Sequence, residues 1–306
     1  MIEHDAPYDA IIIGGGPAGL TCAIFLGRYR RKILLIDDGR PRNHASRGVH
    51  GFLGQHGIEP GELRERGRAE AEASGVELCA ARVSKIERVG DVFEVTTGER
   101  NVVRGRRIVL AYGVRDTLPD IPEIERYYGA NVHHCPDCDG YEASDKRIGV
   151  IGWGKPAVAV ALKLLQWSDD VVIFTHGNAR EWDDEMNSKL LAEQIDVKDE
   201  KIVALDGDAE GRVKSAVLST GERVSVGALF FNIKVERSTR LAEDLGCDCE
   251  EGADIVVDEY RETSVEGVYA VGDLVPGSKL AITAAADGAI AAIAINKSLL
   301  PPSRQV

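Results

Sequence analysis

The chain has 306 residues, 44% hydrophobic and 28% charged, with a formal net charge of −13. That length suits two globular domains of roughly 100–200 residues each, and the acidic balance argues against nucleic acid and anionic membranes as partners. No apolar run approaches the ~18 residues of a membrane span, and the polar start Met1–Asp5 does not read as a secretory leader, so a cytoplasmic protein is expected.

In chain order, the apolar run Tyr8–Ile13 ends in Gly14-Gly15-Gly16-Pro17-Ala18-Gly19, then a helical stretch from Leu20 to about Arg28, then the apolar run Ile33–Ile36 ending at Asp37. This reads as strand, tight turn, helix, strand. The basic run Arg28, Arg30, Arg31, Lys32 reads as a solvated helix end. Glu59–Ser74 reads as a helix stopped by Gly75, and residues 83–109 as short strands with turns near Gly90 and Gly98. Beyond a Pro119/Pro122 linker, a second strand–turn–helix–strand pattern runs from Arg147–Ile151 through Gly152-Trp153-Gly154-Lys155-Pro156-Ala157 to Val171–Phe174. Further strands are expected near 201–205, 213–218 and 228–231. Val268–Val271 meets a Gly272-Asp273 turn, and Ala281–Leu299 is a long helix. The expected fold is α/β. It comprises two Rossmann-like (three-layer ββα) nucleotide-binding domains: a discontinuous one over 1–116 and 247–306, and a smaller one over 117–246.

A lone G-x-G-x-x-G is weak, but here it follows a strand, opens a helix, and is followed eighteen residues after Gly19 by Asp37 at a strand end. Gly14 permits the tight turn, Gly16 lets backbone approach a pyrophosphate, and Gly19 lets helix pack on strand. The N-terminus of the helix that Pro17 and Ala18 begin offers its free N–H groups, none of them from Pro17, to phosphate, and Asp37 can accept from a ribose diol. Asp273 on its turn can bind ribityl hydroxyls, which points to FAD. Gly113 and the start of the last helix, Ala281 and Ile282, complete the expected cofactor set.

Six cysteines are present: Cys22, Cys79, Cys135, Cys138, Cys247 and Cys249. Structural disulfides are not expected in the cytoplasm, so Cys135-Pro136-Asp137-Cys138 reads as a redox pair or a metal site. Two cysteines at i and i+3 form a disulfide readily when they begin a helix, whose N-terminus favours the thiolate. Asp137 between them acts in the opposite sense. Zinc is the minor reading, since Cys247-x-Cys249 has poor spacing for two more ligands. Those two read as loop residues with a second redox relay as the alternative, and Cys22 and Cys79 as buried fillers. Asp139 is placed to give and take the proton of thiol–disulfide exchange.

Together, the first fingerprint, Ala111-Tyr112-Gly113, the C-x-x-C-D-G block, the second G-x-G-x-x-A, Gly272-Asp273 and Thr283–Gly288 resemble the low-molecular-weight thioredoxin reductase family. The resemblance implies a homodimer of two-domain subunits. It also implies that Cys138 faces the flavin, that Cys135 attacks an external disulfide, and that Asp139 is the acid. His50-Gly51-Phe52-Leu53-Gly54 and Tyr141-Glu142 look more like the branch of small-molecule dithiol oxidases, whereas Asp139 stands where that branch often carries His.

NADPH-using relatives place a His-Arg-Arg pattern after the second domain's second strand, because the guanidinium fork grips a 2′-phosphate. Here the run is Thr175-His176-Gly177-Asn178-Ala179-Arg180, lacking both arginines. Pro156 removes an N–H from the cradle, and Trp153 sets an indole where a small residue is usual. Gly152, Gly154 and Ala157 then serve packing or a different ligand. The expectation is a flavoprotein that exchanges electrons between FAD, the Cys135/Cys138 pair and a thioredoxin-like protein or small dithiol, with NADPH a poor donor. The alternatives are a dithiol oxidase using oxygen, an NADPH-dependent thioredoxin reductase, and a diflavin enzyme holding a second FAD near Trp153. A non-enzymatic flavin sensor is disfavoured by the intact Cys135, Cys138 and Asp139.

Overall fold

The computed structural model describes residues 6–98, 101–250 and 254–304; the Met1–Asp5 stretch, read above as no leader, lies outside the described residues. The chain opens on β1 (Ala10–Ile13), whose four side chains are all buried, as a parallel strand covered on both faces requires. Gly16 caps α1 (Pro17–Arg28), and Pro17 begins it where the missing N–H costs no helix bond. β2 (Ile33–Asp37) runs parallel to β1. α2 (Pro60–Ala73) and β3 (Glu77–Ala80) follow. β4 (Val83–Val89), β5 (Val92–Thr97) and β6 (Asn101–Gly105) make an antiparallel meander. β7 (Ile108–Leu110) then joins the main sheet beside β1.

β8 (Val114–Thr117) carries the chain onward. β9 (Val132–His133) precedes the one-turn α3 (Pro136–Asp139). β10 (Ile148–Ile151), α4 (Lys155–Leu164) and β11 (Val171–Phe174) form the second parallel strand–helix–strand unit. It continues through α5 (Asp184–Ala192) and β12 (Asp196–Lys198). A small antiparallel sheet of β13 (Ile202–Gly207), β14 (Val213–Leu218) and β15 (Arg223–Ser225) intervenes before β16 (Ala228–Phe231). The parallel sheet here has the order β12-β11-β10-β16-β9. Asn131 ties its edge to the small sheet: Nδ2 donates to the carbonyls of Val213 and Gly227, and Oδ1 accepts from Val213 N.

β17 (Lys234–Arg237) pairs with β8. The chain then runs through α6 (Leu241–Asp244), β18 (Val268–Ala270) and α7 (Ala281–Ser298). β18 completes a parallel sheet of order β18-β7-β1-β2-β3. α7 lies on α1 so closely that a Cβ on Gly288 would fall 2.1 Å from the Ala18 carbonyl oxygen.

Two compact units result: Met1–His44, Gly51–Arg115 and Val235–Val306 form one, and Ala45–His50 with Asp116–Lys234 form the other. The return to the first unit falls at Val235, ahead of the expected 247, because Leu241, Ala242 and Cys247 are buried in the first unit's core with Ile36 and Val268. The architecture is α/β with two parallel Rossmann-type sheets. No helix among the described residues is long and apolar enough to cross a membrane.

Candidate functional site

In the first unit the three fingerprint glycines differ in what surrounds them. Gly14 has φ +113°, and a Cβ there would lie 2.2 Å from the Ala111 carbonyl oxygen; a Cβ on Gly19 would lie 2.0 Å from that of Gly14. Both are fixed by close backbone packing. Gly16, by contrast, faces open space within 4 Å, and no side chain caps the α1 N-terminus that Pro17 and Ala18 begin. An open cradle of helix N–H groups beside Gly16 fits a pyrophosphate.

Asp37 ends β2 as expected, with both oxygens engaged. Oδ1 accepts from Gly15 N at 3.0 Å, and Oδ2 accepts from Arg64 Nη2 at 2.7 Å, with Arg68 Nη1 3.6 Å away. Asp273 Oδ2 accepts from Arg42 Nη1 at 2.8 Å. Gly272 holds φ +72°, the left-handed region. Its N–H donates to Asp287 Oδ2 at 3.3 Å, while Arg261 Nε holds Asp287 Oδ1 at 2.8 Å. Asp287 therefore fixes the Gly272-Asp273 turn. Gly113 has φ +64°, and its carbonyl accepts from Ser238 Oγ at 3.0 Å. Ala281 and Ile282 are the first residues of α7. Arg42, Arg64 and Arg68 were not singled out from the sequence, since nothing local distinguishes an arginine that reaches a carboxylate twenty or more positions away.

In the second unit Cys135 and Cys138 form a disulfide. Cys135 caps α3, and its Sγ accepts from Cys138 N at 3.2 Å, so the backbone there favours negative charge on that sulfur. Asp137, expected to oppose a thiolate, is offset by Lys163, whose Nζ lies 2.5 Å from its Oδ2. Gly140 is required by packing, since a Cβ there would meet the Trp167 ring at 2.7 Å.

Asp139 is largely buried, and its pKa is pushed up to about 7, first by desolvation and second by the nearby Glu142 carboxylate. A carboxyl with that pKa can take up and release a proton near neutral pH. His133 Nδ1 lies 3.5 Å from Asp139 Oδ2. Burial drives the His133 pKa down to about 3, helped by His134 and His50, so its ring is neutral at pH 7. On the next residue, His134 Nδ1 stands 3.6 Å from Asp116 Oδ2 and 3.4 Å from the Tyr128 hydroxyl. His50 Nδ1 lies 3.4 Å from Glu142 Oε1.

At the second fingerprint, a Cβ on Gly152 would meet Ala157 Cβ at 2.7 Å, so these residues serve strand–helix packing. Half-buried Trp153 gives its carbonyl to Glu181 N at 2.7 Å, and Gly154 forms a parallel bridge with Glu181. Arg180 grips Asp199 with two bonds of 2.9 and 2.7 Å, and Lys155 Nζ lies 3.3 Å from Asp183 Oδ2. His176 Nδ1 accepts from Ile202 N at 3.1 Å and Nε2 sits 3.2 Å from the Asp120 carbonyl, so its ring is committed to the fold.

Of the remaining cysteines, Cys22 is fully buried and Cys79 half-buried. Cys247, expected in a loop, lies in one after α6 and is buried there, with Sγ 3.5 Å from Thr263 Oγ1. Among the described residues no group of three or more His, Cys, Asp or Glu side chains has metal-holding geometry.

Two parallel Rossmann-type sheets, with a disulfide opening a helix just ahead of the second fingerprint, are the arrangement of a flavoprotein disulfide oxidoreductase. The comparisons agree. Residues 8–288 match the pyridine nucleotide-disulphide oxidoreductase family, and the chain belongs to it, as a thioredoxin reductase-like flavoprotein. The crystal structure of HlmI superposes with a TM-score of 0.92 at 37% identity, covering 97% of this chain and 93% of that one. Thioredoxin reductase from Streptococcus pyogenes gives 0.89 at 26% identity, covering 96% and 98%. Thioredoxin reductase tcpT of Claviceps purpurea is 28% identical over 87% of this chain and 86% of its own. FAD is the cofactor expected of this family, and the open Gly16 cradle fits it.

Proposed function

We propose that this protein is an FAD-dependent thiol–disulfide oxidoreductase that exchanges two electrons between flavin, the Cys135/Cys138 pair and an external, thioredoxin-like dithiol or disulfide, with NADPH a poor donor. FAD, when bound, takes up or gives out the electron pair. The protein's own groups manage sulfur and protons. An external dithiol attacks Cys135 Sγ as a thiolate, the Cys135–Cys138 bond breaks, and Asp139 gives its proton to the departing Cys138 sulfur. The second external thiolate then cleaves the mixed disulfide. Cys135 leaves as a thiolate that the Cys138 N–H stabilises, the partner becomes a disulfide, and the pair is reduced. The reverse sequence reduces an external disulfide.

The observation that carries the donor assignment is the second fingerprint: Arg180 and Lys155 are both paired with carboxylates there, and among the described residues no unpaired arginine fork stands at that strand end for a 2′-phosphate. The test is flavin absorbance under argon with NADPH, reduced thioredoxin and a small dithiol added separately. Rapid bleaching by dithiol and slow bleaching by NADPH is expected; full bleaching by stoichiometric NADPH within seconds overturns the donor assignment. A flavin-to-polypeptide ratio of one disposes of a second FAD beside Trp153. We also propose a cytoplasmic homodimer, which light scattering checks for its oligomeric state.

One observation favours a second reading, an oxidase of small dithiols that uses oxygen. The two segments that look like that branch meet at His50 and Glu142, beside a Tyr141 that is 75% exposed next to the redox pair. Peroxide production in air with small dithiols, and none with reduced thioredoxin, selects it.

A further inference from the structure

We infer that Glu181 is the specificity-determining residue that closes the second fingerprint to dinucleotides, standing as a built-in anion where a pyrophosphate would dock. The inference rests on the reading of NADPH as a poor donor and gives that reading a cause.

A fingerprint of this kind works through the backbone of its middle glycine and the free N–H groups of the helix that follows. In this chain the middle glycine is Gly154, which caps α4 without any side-chain cap. The segment after β11 folds back over it. Glu181 N donates to Trp153 O at 2.7 Å, and the Glu181 backbone bridges that of Gly154 in parallel. This pins the Glu181 backbone beside the fingerprint, and its exposed carboxylate lies close by: a Cβ on Gly154 would lie 3.9 Å from Glu181 Oε2.

The surrounding charges sharpen the assignment. Asp183 is also close, but its Oδ1 accepts from Met186 N as the cap of α5, and its other oxygen faces Lys155. Asp199 is matched by Arg180. Among the described residues no cation is paired with Glu181. Its charge is thus without a partner cation at the fingerprint, and it stands near the positive end of α4 without capping it by a hydrogen bond. Pro156 at the helix start removes one further donor. An arriving pyrophosphate meets a like charge within about 4–6 Å, where repulsion stays appreciable even in water.

The test uses FAD-loaded protein and oxidised nucleotides, which bind without reducing flavin. NAD+ and NADP+ are titrated calorimetrically at low ionic strength into the natural protein, Glu181→Gln and Glu181→Gly. Both variants are expected to tighten both nucleotides about fivefold or more, because the pyrophosphate is common to the two. Asp199→Asn, which frees Arg180, is expected to tighten NADP+ alone. If the natural protein binds weakly and both Glu181 variants, with unchanged thermal midpoints, bind equally weakly, the role of Glu181 is refuted while the donor reading stands. If the natural protein binds NADP+ at micromolar levels and NADPH bleaches it at once, the donor reading itself falls.

Discussion

Replacing Asp139 by Asn tests the acid–base assignment and the burial that underlies it. In the folded protein the carboxyl is raised from 3.8 to about 7. Each pKa unit corresponds to about 1.4 kcal/mol, so ionising it inside the fold costs on the order of 4 kcal/mol. The sign follows from the direction of the shift. With a folded pKa above the unfolded one, the favourable contribution is fully present below pH 3.8 and is lost as pH rises to 7. Asp139→Asn carries no such charge. Its stability relative to the natural protein is therefore expected to improve between pH 4 and pH 8, by about 2–4 kcal/mol, in urea unfolding followed by fluorescence. The same substitution removes the proton donor to Cys138, so dithiol-driven flavin reduction should slow by roughly 10²–10⁴-fold. The limb of the natural pH profile centred near 7 should disappear with it. Stopped-flow absorbance under argon reads both effects. A limb near pH 7 that survives in Asp139→Asn, or a stability difference that does not change with pH, refutes the reasoning.

Lys163→Ala leaves Asp137 uncompensated beside the pair; because Lys163 and Asp137 are half-exposed, alkylation of reduced Cys135 at pH 7 should slow by only about two- to threefold. Gly288→Ala forces a Cβ against the Ala18 carbonyl and should destabilise the first unit by about 1–3 kcal/mol, seen as a lower midpoint in thermal unfolding. Asp287→Ala frees the Gly272 N–H and Arg261 and should weaken flavin retention about tenfold, measured as flavin fluorescence released on dialysis. His133 should make the protein acid-sensitive. Its folded pKa near 3 means that stability is lost as pH falls below about 6.5, and His133→Gln should blunt that loss in acid unfolding curves.

The parts legible in the sequence were those written in adjacent residues. Both glycine turns, Cys135–Cys138 at the start of a helix, and α7 from Ala281 all follow from short-range spacing and periodicity. What escaped was set by long-range packing. Asp287 was visible within its run of small residues, but only the fold shows that it holds Gly272. Glu181 reads as one acid among many until the chain doubles back over Gly154. Ala45–His50 belongs to the second unit by contacts no local pattern encodes, as when the Ala45 carbonyl closes on Gly129. The burial of Cys247, likewise, is decided by the partners α6 brings with it.

The uneven surroundings of the first fingerprint bear on how such motifs are read in drifting lineages. Two of its three glycines answer to the protein's own scaffold, so selection for folding alone preserves them after a cofactor is abandoned. Only the central one, Gly16, has room to accept a side chain without disturbing its neighbours. In descendants of this chain its replacement would be the earliest legible trace of a flavin given up, long before the rest of the signature decayed.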